Sequence, residues 1–186
     1  MHPDLIAVER ELQENQESIH RLAALVDDET WMARPAEGVW SMSECIAHLA
    51  LSSHESFPGI DGAIAKARLT NRTAPTKLRR DPIGWLVSTM AEPPYRIGVK
   101  TKKIFVPDRS EPRAATLAAF DASQDAMRQR VRGADGLDAT AVSVHSPMER
   151  RVKYNLISAF RIATVHQRRH IWQAEQGLAR LRAQRK

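Results

Sequence analysis

Apolar residues recur at helical spacing in four long segments of this 186-residue chain. The first segment predicts a helix from about Leu5 to Val26, because its apolar positions lie three, four or seven residues apart with glutamates between them. Such spacing gathers the apolar side chains on one face, which is stabilised by packing against other helices. No segment predicts a convincing sheet. The sequence therefore predicts an all-α four-helix bundle, formed as a single domain over residues 1–186.

The second long segment has a clear helix start signal. Ser41 is followed three residues later by Glu44, a capping box in which each side chain accepts a hydrogen bond from the other residue's backbone N–H. The helix is predicted to continue to about Leu69, with Pro58 as the expected point of a kink. Residues 31–38, which contain a proline and a glycine, predict a connecting loop before it.

Residues 70–111 interrupt this pattern with five prolines and predict a long connection between the second and third long helices. Within it, Asp81-Pro82 is typical of a helix start and predicts a short helix. Residues 99–107 are a candidate extended segment, although no partner strand is evident. A long ordered connection of this kind often covers a functional site. The apolar side chains expected to pack the short helix onto the bundle are Ile83, Trp85, Leu86 and Met90.

The other two long helices are placed by their boundary residues. The third is predicted to open at residues 110–112 and to end near Gly133. Residues 137–153 are predicted to be turns. The fourth long helix is predicted from about Tyr154 to Ala179, which leaves residues 180–186 as a basic tail.

The formal net charge of +6 raises nucleic acid or an anionic ligand as a partner. The excess basic residues, however, collect in residues 77–80, 100–103 and 180–186, which are predicted as loops and a tail and are usually solvated. The four Trp, two Tyr and four Phe provide no aromatic ladder on which bases could stack. The sequence therefore disfavours nucleic-acid binding.

No apolar run approaches the length that spans a bilayer, and the first residues lack the basic and apolar regions of a secretory signal. We therefore expect no membrane partner and a cytoplasmic location. The lone Cys45 cannot form a disulfide within the chain and is predicted to lie in the core.

The fourth long helix carries two histidines, His166 and His170, four residues apart. Residues at this spacing project from the same face of a helix, about 6 Å apart at Cβ. The two histidines share a stripe of small and apolar residues, so we expect them to face inward. A buried imidazole must be hydrogen-bonded or ligated. Spacing alone leaves two interpretations open, namely hydrogen-bonded core histidines or two ligands of a metal ion.

This histidine pair belongs to the second of two motifs that lie more than a hundred residues apart. Residues 40–49 read WSMSECIAHL and residues 166–173 read HQRRHIWQ. The first motif is similar to the Trp-Ser-x-x-Glu and His-Leu of the DinB/YfiT-like superfamily, and the second resembles its His-x-x-Arg-His-x-x-Gln. The resemblance covers most of the chain and implies a four-helix bundle with a long second connection. It also implies that His48, His166 and His170 bind a divalent metal ion, commonly zinc or nickel.

Three histidine ligands leave a coordination position open for water or a substrate, which suits transferase or hydrolase chemistry. Relatives in the superfamily that this chain resembles include transferases of low-molecular-weight thiols, thiol-dependent isomerases and hydrolases. The resemblance therefore implies a metal-dependent enzyme, in particular a thiol S-transferase or a hydrolase, that acts on a small-molecule substrate as a homodimer. The alternative is a non-enzymatic bundle that is stabilised by its metal and binds a partner.

Several residues near the histidines keep more than one interpretation open. Many relatives carry an acidic residue shortly after the first histidine, whereas this chain has Leu51 and Ser52. The basic residues 100–103 either form a solvated loop or attract an anionic thiol cofactor. His54 is predicted to lie on the surface, about 120° around the helix from His48. The residues near enough on the helical wheel to support the site, or only to cap and solvate their helices, are Glu44, Ser52, Glu55 and Gln173.

Overall fold

Residues 1–94, 101–107 and 111–184 are described by the structure, a computed structural model, and they fold mainly into α-helices. Within these residues, four long helices form a bundle, while two short helices, a 3₁₀ turn and a two-stranded hairpin occupy the connections. In chain order the elements are α1 (Pro3–Ala24), α2 (Asp28–Met32), α3 (Met42–Leu69), α4 (Pro82–Ala91), a 3₁₀ turn (Lys103–Phe105), α5 (Arg113–Gly133), β1 (Ser143–His145), β2 (Lys153–Asn155) and α6 (Leu156–Gln184). This architecture confirms the predicted all-α bundle with a long connection, which runs between α3 and α5.

The apolar core of the bundle is divided by a layer of polar side chains. One apolar cluster joins the first half of α1 to the second half of α3 and to the hairpin, and the other joins the second half of α1 to the first half of α3. Between them, Nδ2 of Asn15 donates to the carbonyl oxygen of Thr164 at 3.0 Å and to Oε1 of Gln167 at 3.1 Å. These side chains are buried, so their pairing offsets the cost of removing them from water. The polar layer meets the stretch of α6 that carries His166 and His170.

The loop predicted after α1 contains a short helix. α1 itself begins at Pro3 and ends at Ala24, two residues earlier at each end than predicted. The side chain of Asp27 accepts a hydrogen bond from the backbone N–H of Thr30 at 2.8 Å and so caps α2. α2 buries Trp31 completely. Its five residues are too few to show helical spacing, which is why the sequence did not predict it.

α3 begins with the predicted capping box. The hydroxyl of Ser41 accepts from the backbone N–H of Glu44 at 3.2 Å, and Oε2 of Glu44 accepts from the backbone N–H of Ser41 at 2.9 Å. The helix then continues through Pro58 to Leu69. Pro58 cannot donate to the carbonyl oxygen of His54. Because both residues are exposed, water can serve that oxygen and the helix tolerates the proline.

α4 starts where predicted but packs with a different face. The side chain of Asp81 caps it by accepting from the backbone N–H of Gly84 at 3.1 Å. Gly84 and Ser88 are the buried residues of α4, and a Cβ at position 84 would lie only 2.2 Å from Cβ of Ser158 on α6. The expectation that the large apolar side chains pack on the bundle was wrong, because this close contact admits only small residues. The side chains left about half exposed are Ile83, Trp85, Leu86 and Met90.

The contact at Gly84 predicts opposite effects for two glycine substitutions. In Gly84→Ala the new Cβ would lie 2.1 Å from Oγ of Ser158, and overpacking of this kind costs about 1–3 kcal/mol, more than the ~0.5–1 kcal/mol that alanine gains in a helix. At Gly62 a Cβ meets nothing within 4 Å, so Gly62→Ala should stabilise by about 0.5–1 kcal/mol. Urea denaturation measures both free energies of unfolding. Shifts of the same sign would contradict the described packing of α4.

Residues 137–153, predicted as turns, contain part of a short antiparallel hairpin. β1 pairs with β2 so that Val144 lies opposite Tyr154, and both side chains are buried. The prediction of turns alone was wrong, because strands of three residues are too short to show alternation. The hairpin packs on α3 and α6 and extends their apolar core.

The candidate extended segment 99–107 holds a 3₁₀ turn instead, although residues 99 and 100 lie outside the described part of the chain. The turn buries the side chain of Phe105, which is 1% exposed, and leaves Ile104 and Val106 about half exposed. This segment has no partner strand within the described residues, so burial of the Phe105 ring decides its local conformation.

The predicted basic tail is a continuation of α6 as far as Gln184, with residues 185–186 outside the described range. Nε2 of Gln184 donates to the carbonyl oxygen of Pro35 at 3.1 Å, which ties this end of α6 to the loop before α3. No helix in the described part of the chain is long and apolar enough to cross a bilayer.

Candidate metal centre

Three histidines from two helices meet at one point of the bundle. α3 supplies His48, and α6 supplies His166 and His170, which lie one helical turn apart. Nε2 of His166 is 3.3 Å from Nε2 of His48 and 3.1 Å from Nε2 of His170. Each residue offers a ring nitrogen, and these nitrogens all lie within 4.8 Å of one another. This three-histidine cluster is the set of residues that the two sequence motifs indicate.

The spacing of these nitrogens fits a divalent cation. Zinc–imidazole bonds are about 2.0–2.1 Å long, so tetrahedral ligands lie about 3.3–3.4 Å from one another. The observed separations of 3.1 and 3.3 Å are close to this value. One proton can join only two of the three nitrogens in a hydrogen bond, whereas a cation can accept all three lone pairs. The three-histidine cluster could therefore hold a metal ion.

One of the histidines is oriented by a hydrogen bond on its outer nitrogen. Nδ1 of His48 donates to the backbone carbonyl oxygen of Phe105 at 2.8 Å. Because a carbonyl only accepts, Nδ1 carries the proton and Nε2 keeps its lone pair toward the cluster. The side chain of Gln173, three residues further along α6, lies near His170 and acts to raise its pKa against the effect of burial, but Nδ1 of His170 has no hydrogen-bond partner within the described residues. Metal-binding histidines are commonly fixed by a hydrogen bond of the kind that His48 makes, and here the long connection contributes the acceptor.

Trp40 packs against the cluster from the segment that precedes α3. Its ring centroid lies 4.9 Å from that of His48 and 6.0 Å from that of His170, with the second pair of rings only 25° from parallel. Glu44 holds this segment, because it caps α3 and also accepts hydrogen bonds from Nε and Nη2 of Arg34. These contacts give Glu44 a structural role and explain its burial.

The other neighbours considered for the site differ in their exposure. Oγ of Ser52 lies 3.3 Å from Nε2 of His48, so its hydroxyl is beside the cluster. Glu55 and His54 are exposed on α3, as predicted for His54, and Glu55 is therefore no longer a candidate for proton transfer. Cys45 is a core residue as predicted, and burial raises the pKa of its thiol to about 12.

Burial keeps the three imidazoles neutral. It lowers the pKa of His166 to about 3 and lowers the pKa of His170 well below its ordinary 6.5, and the charges of the neighbouring histidines and of Arg169 act in the same direction. Burial also lowers the pKa of His48, although its hydrogen bond to Phe105 opposes this effect. Neutral imidazole is the form that binds metal ions. At neutral pH the cluster is therefore in its metal-binding protonation state.

The three-histidine cluster opens into a cavity of about 950 Å³, the central cavity. Its walls come from α3, α4, the 3₁₀ turn, the hairpin and α6, and most of the lining side chains are apolar. Among the described residues that line it there is no aspartate or glutamate, while Arg169 and Arg180 are cationic. The volume lies within the range of small-molecule sites. The cluster is thus on the wall of a ligand-sized space.

Two parts of this site were missed by sequence reasoning. The first is the backbone carbonyl of Phe105, which no side-chain pattern can reveal. Its only signal is the apolar run at residues 104–106 within a basic connection, which indicates that this segment is anchored in the core. The second is the hairpin, whose Val144 and Val152 line the central cavity although its strands are too short to be recognised.

Arg168 anchors the end of α4 beside the central cavity. Its Nε and Nη2 each donate at 2.8 Å to the carboxylate of Glu92, the residue after α4. Its Nη1 donates to Oε2 of Glu11 on α1 at 3.0 Å. Arg168 therefore joins three helices on the side of α6 away from the histidines, and it holds in place the helix that supplies Val87 and Met90 to the cavity wall.

The comparison with protein families agrees with the two motifs. Residues 11–174 match the family model of the DinB superfamily, a span that includes all three histidines. No curated protein and no solved structure matches the chain.

Proposed function

Since this chain belongs to the DinB superfamily, we propose that it is a metal-dependent enzyme that transfers a low-molecular-weight thiol to a carbon electrophile. The observation that carries this proposal is the convergence of the three Nε2 atoms of His48, His166 and His170, at separations of 3.1 and 3.3 Å, on the wall of a ligand-sized cavity. The proposed metal is zinc or nickel, because both accept imidazole ligands.

The three histidines would hold the cation and leave part of its coordination shell open to the central cavity. When bound, such a cation lowers the pKa of a thiol or water at the open position. Neutral imidazoles leave the whole charge of the cation available to stabilise an anionic nucleophile. The hydroxyl of Ser52 lies 3.3 Å from Nε2 of His48. This position supports a role for Ser52 as a hydrogen-bond partner of that nucleophile.

The lining of the cavity favours thiol transfer over hydrolysis. A thiol has an ordinary pKa of about 8.5 and water one of about 15.7, so a thiol beside a cation needs no further base. Hydrolytic zinc sites often add a glutamate that serves as that base. No carboxylate lines the central cavity within the described ranges. In the proposed reaction a sulfur–carbon bond forms, the bond from that carbon to its leaving group breaks, and the thiol proton passes to the leaving group or to solvent.

The proposal is tested by the requirement for a thiol. Zinc-loaded protein is incubated with a chromogenic aryl halide, with and without glutathione, cysteine or mercaptoethanol, beside protein stripped by a chelator. We expect thioether formation above the uncatalysed rate only when metal and a thiol are both present. Product formation by water alone would instead identify a hydrolase. A lack of turnover over a wider electrophile panel would contradict both activities.

The second candidate function is a non-enzymatic bundle that its metal stabilises. It is favoured by the position of the cluster between α3 and α6, where His48 and His170 are buried and a cation would join the two helices. This reading gains support if chelation lowers the melting temperature while no thiol transfer or hydrolysis occurs. Homodimerisation and a cytoplasmic location stay predictions.

A further inference from the structure

We infer that the electrophilic substrate is an anionic amphiphile, with an apolar body at the hairpin end of the central cavity and an anionic group at the end near Arg180. The inference deepens the proposed function, because it calls this ligand the substrate of the three-histidine cluster. The binding itself is argued from the cavity alone.

The cavity extends along α6 on both sides of the histidines. The residues of α6 that line it include Ala159 at one end and Arg180 at the other. At a rise of 1.5 Å per residue, Ala159 lies about 10 Å before His166, and Arg180 lies about 15 Å after His170. A ligand that fills the cavity therefore crosses the cluster and has two chemically distinct surroundings.

The end before the histidines is uncharged and mainly apolar, although hydroxyl groups of Ser56 on α3 and Ser146 after β1 also line it. Ala159, Ile162 and Ala163 of α6 line it together with Val144 and Val152 of the hairpin. The side chains of Ala159 and Val144 belong to the buried apolar core, so this part of the cavity is an opening in that core. It offers hydrocarbon contacts and excludes a charged group that would lose its hydration.

The end after the histidines carries polar and cationic side chains beside the ring of Trp172. Gln173, Gln176 and Arg180 line it on successive turns of α6. Arg180 is exposed and forms no salt bridge within the described residues, and its guanidinium suits a carboxylate or phosphate oxygen pair. Arg169 adds a second positive charge to the lining. Because Arg180 forms no salt bridge within the described residues and no aspartate or glutamate is among the described lining residues, this end favours an anionic group.

The test uses straight-chain carboxylates from butanoate to dodecanoate, titrated into zinc-loaded and into chelator-stripped protein by calorimetry. We expect the affinity to rise by up to about fourfold for each added methylene and then to level off when the apolar end is filled. We expect the same dependence of affinity on chain length in the zinc-loaded and in the chelator-stripped protein. An affinity that ignores chain length, or that disappears on removal of the metal, would overturn the inference.

Matched variants test each end separately. Arg180→Gln should weaken every carboxylate by about two- to fivefold and leave the matching alcohols unchanged, whereas Arg182→Gln makes the same charge change at an exposed position that does not line the cavity and should have no effect. Equal carboxylate affinities in the two arginine variants would contradict the binding of the anionic group near Arg180.

Ala163→Leu should make the series level off at a shorter chain, with Ala179→Leu at an exposed position of α6 as its control. Zinc content should stay the same in all four variants, because none replaces a histidine. If the dependence of affinity on chain length is unchanged in Ala163→Leu, the apolar body of the ligand does not bind at the hairpin end of the cavity. Carboxylate binding without thiol transfer would retain this inference and reject the proposed function, and thiol transfer without carboxylate binding would do the reverse.

Discussion

His166→Ala is expected to lower the bound zinc or nickel from about one equivalent per chain to a small fraction of that amount. His166 provides the nitrogen that lies between the other two, at 3.3 Å from His48 and 3.1 Å from His170. Its loss leaves two imidazoles, which are too few for a stable site. Metal content is measured by mass spectrometry after dialysis against a common buffer, and thiol transfer should be lost in the same variant.

The matched control for this experiment is His54→Ala. His54 is an exposed histidine on α3, the helix that carries His48, so its removal should leave metal content and turnover unchanged. Near-zero metal in the wild type and in both variants would contradict the proposed metal centre. One equivalent of metal per chain in His166→Ala would show that the cation binds somewhere other than the three-histidine cluster.

Acidification is expected to have the second large effect, on the stability of the metal-free protein. In the folded state burial lowers the pKa of all three histidines, to about 3 for His166, whereas unfolded histidine has a pKa of about 6.5. Between these values the unfolded chain binds more protons than the folded one. The stability that the neutral histidines provide is therefore fully present above about pH 6.5 and is lost progressively as the pH falls toward 3. Urea denaturation at a series of pH values measures this loss.

The same shifts determine the pH at which the cation is released. Protons compete with the metal only when the pH approaches the lowered pKa values of the folded cluster, so we expect zinc to be retained well below pH 6.5, where exposed imidazoles become protonated. Trp40→Ala should expose the rings of His48 and His170 and raise the pH of release. Trp85→Ala removes a half-exposed indole on α4 and should not. A release midpoint near 6.5 in the wild type would contradict the role given to burial.

The parts of the fold that were predictable are those with local signals. Helical spacing identified the four long helices, and short polar caps identified the starts of α3 and α4, because Ser41 and Asp81 each bond to the backbone within three residues. The packing face of α4 was not predictable, since hydrophobicity points to Ile83 and Leu86 while the contact with Ser158 requires Gly84. That contact depends on two elements more than seventy residues apart.

The candidate site was predictable to the extent that its residues share a spacing or a motif. Four-residue spacing brought together His166 and His170, whereas the polar face of α3 that carries His48 indicated only a pocket, and the assignment of His48 as the third ligand came from the family resemblance. The helical wheel also kept Glu44 and Glu55 as candidates to support the site, because it gives the angle of a residue around the helix and not its distance from the histidines. In the structure Glu44 is committed to Arg34 and to the helix cap, and Glu55 is exposed.

The hydrogen bond from His48 to position 105 is made to the main chain. The tautomer of His48 and the shape of the cavity therefore depend on different parts of the same residue. Every amino acid offers the same carbonyl, so a change of residue type at position 105 that keeps the backbone path also keeps the tautomer of His48. The side chain at this position lines the central cavity, so the same change alters its shape. Among apolar residues that keep this turn anchored in the core, the shape of the cavity can therefore change while the orientation of His48 is kept.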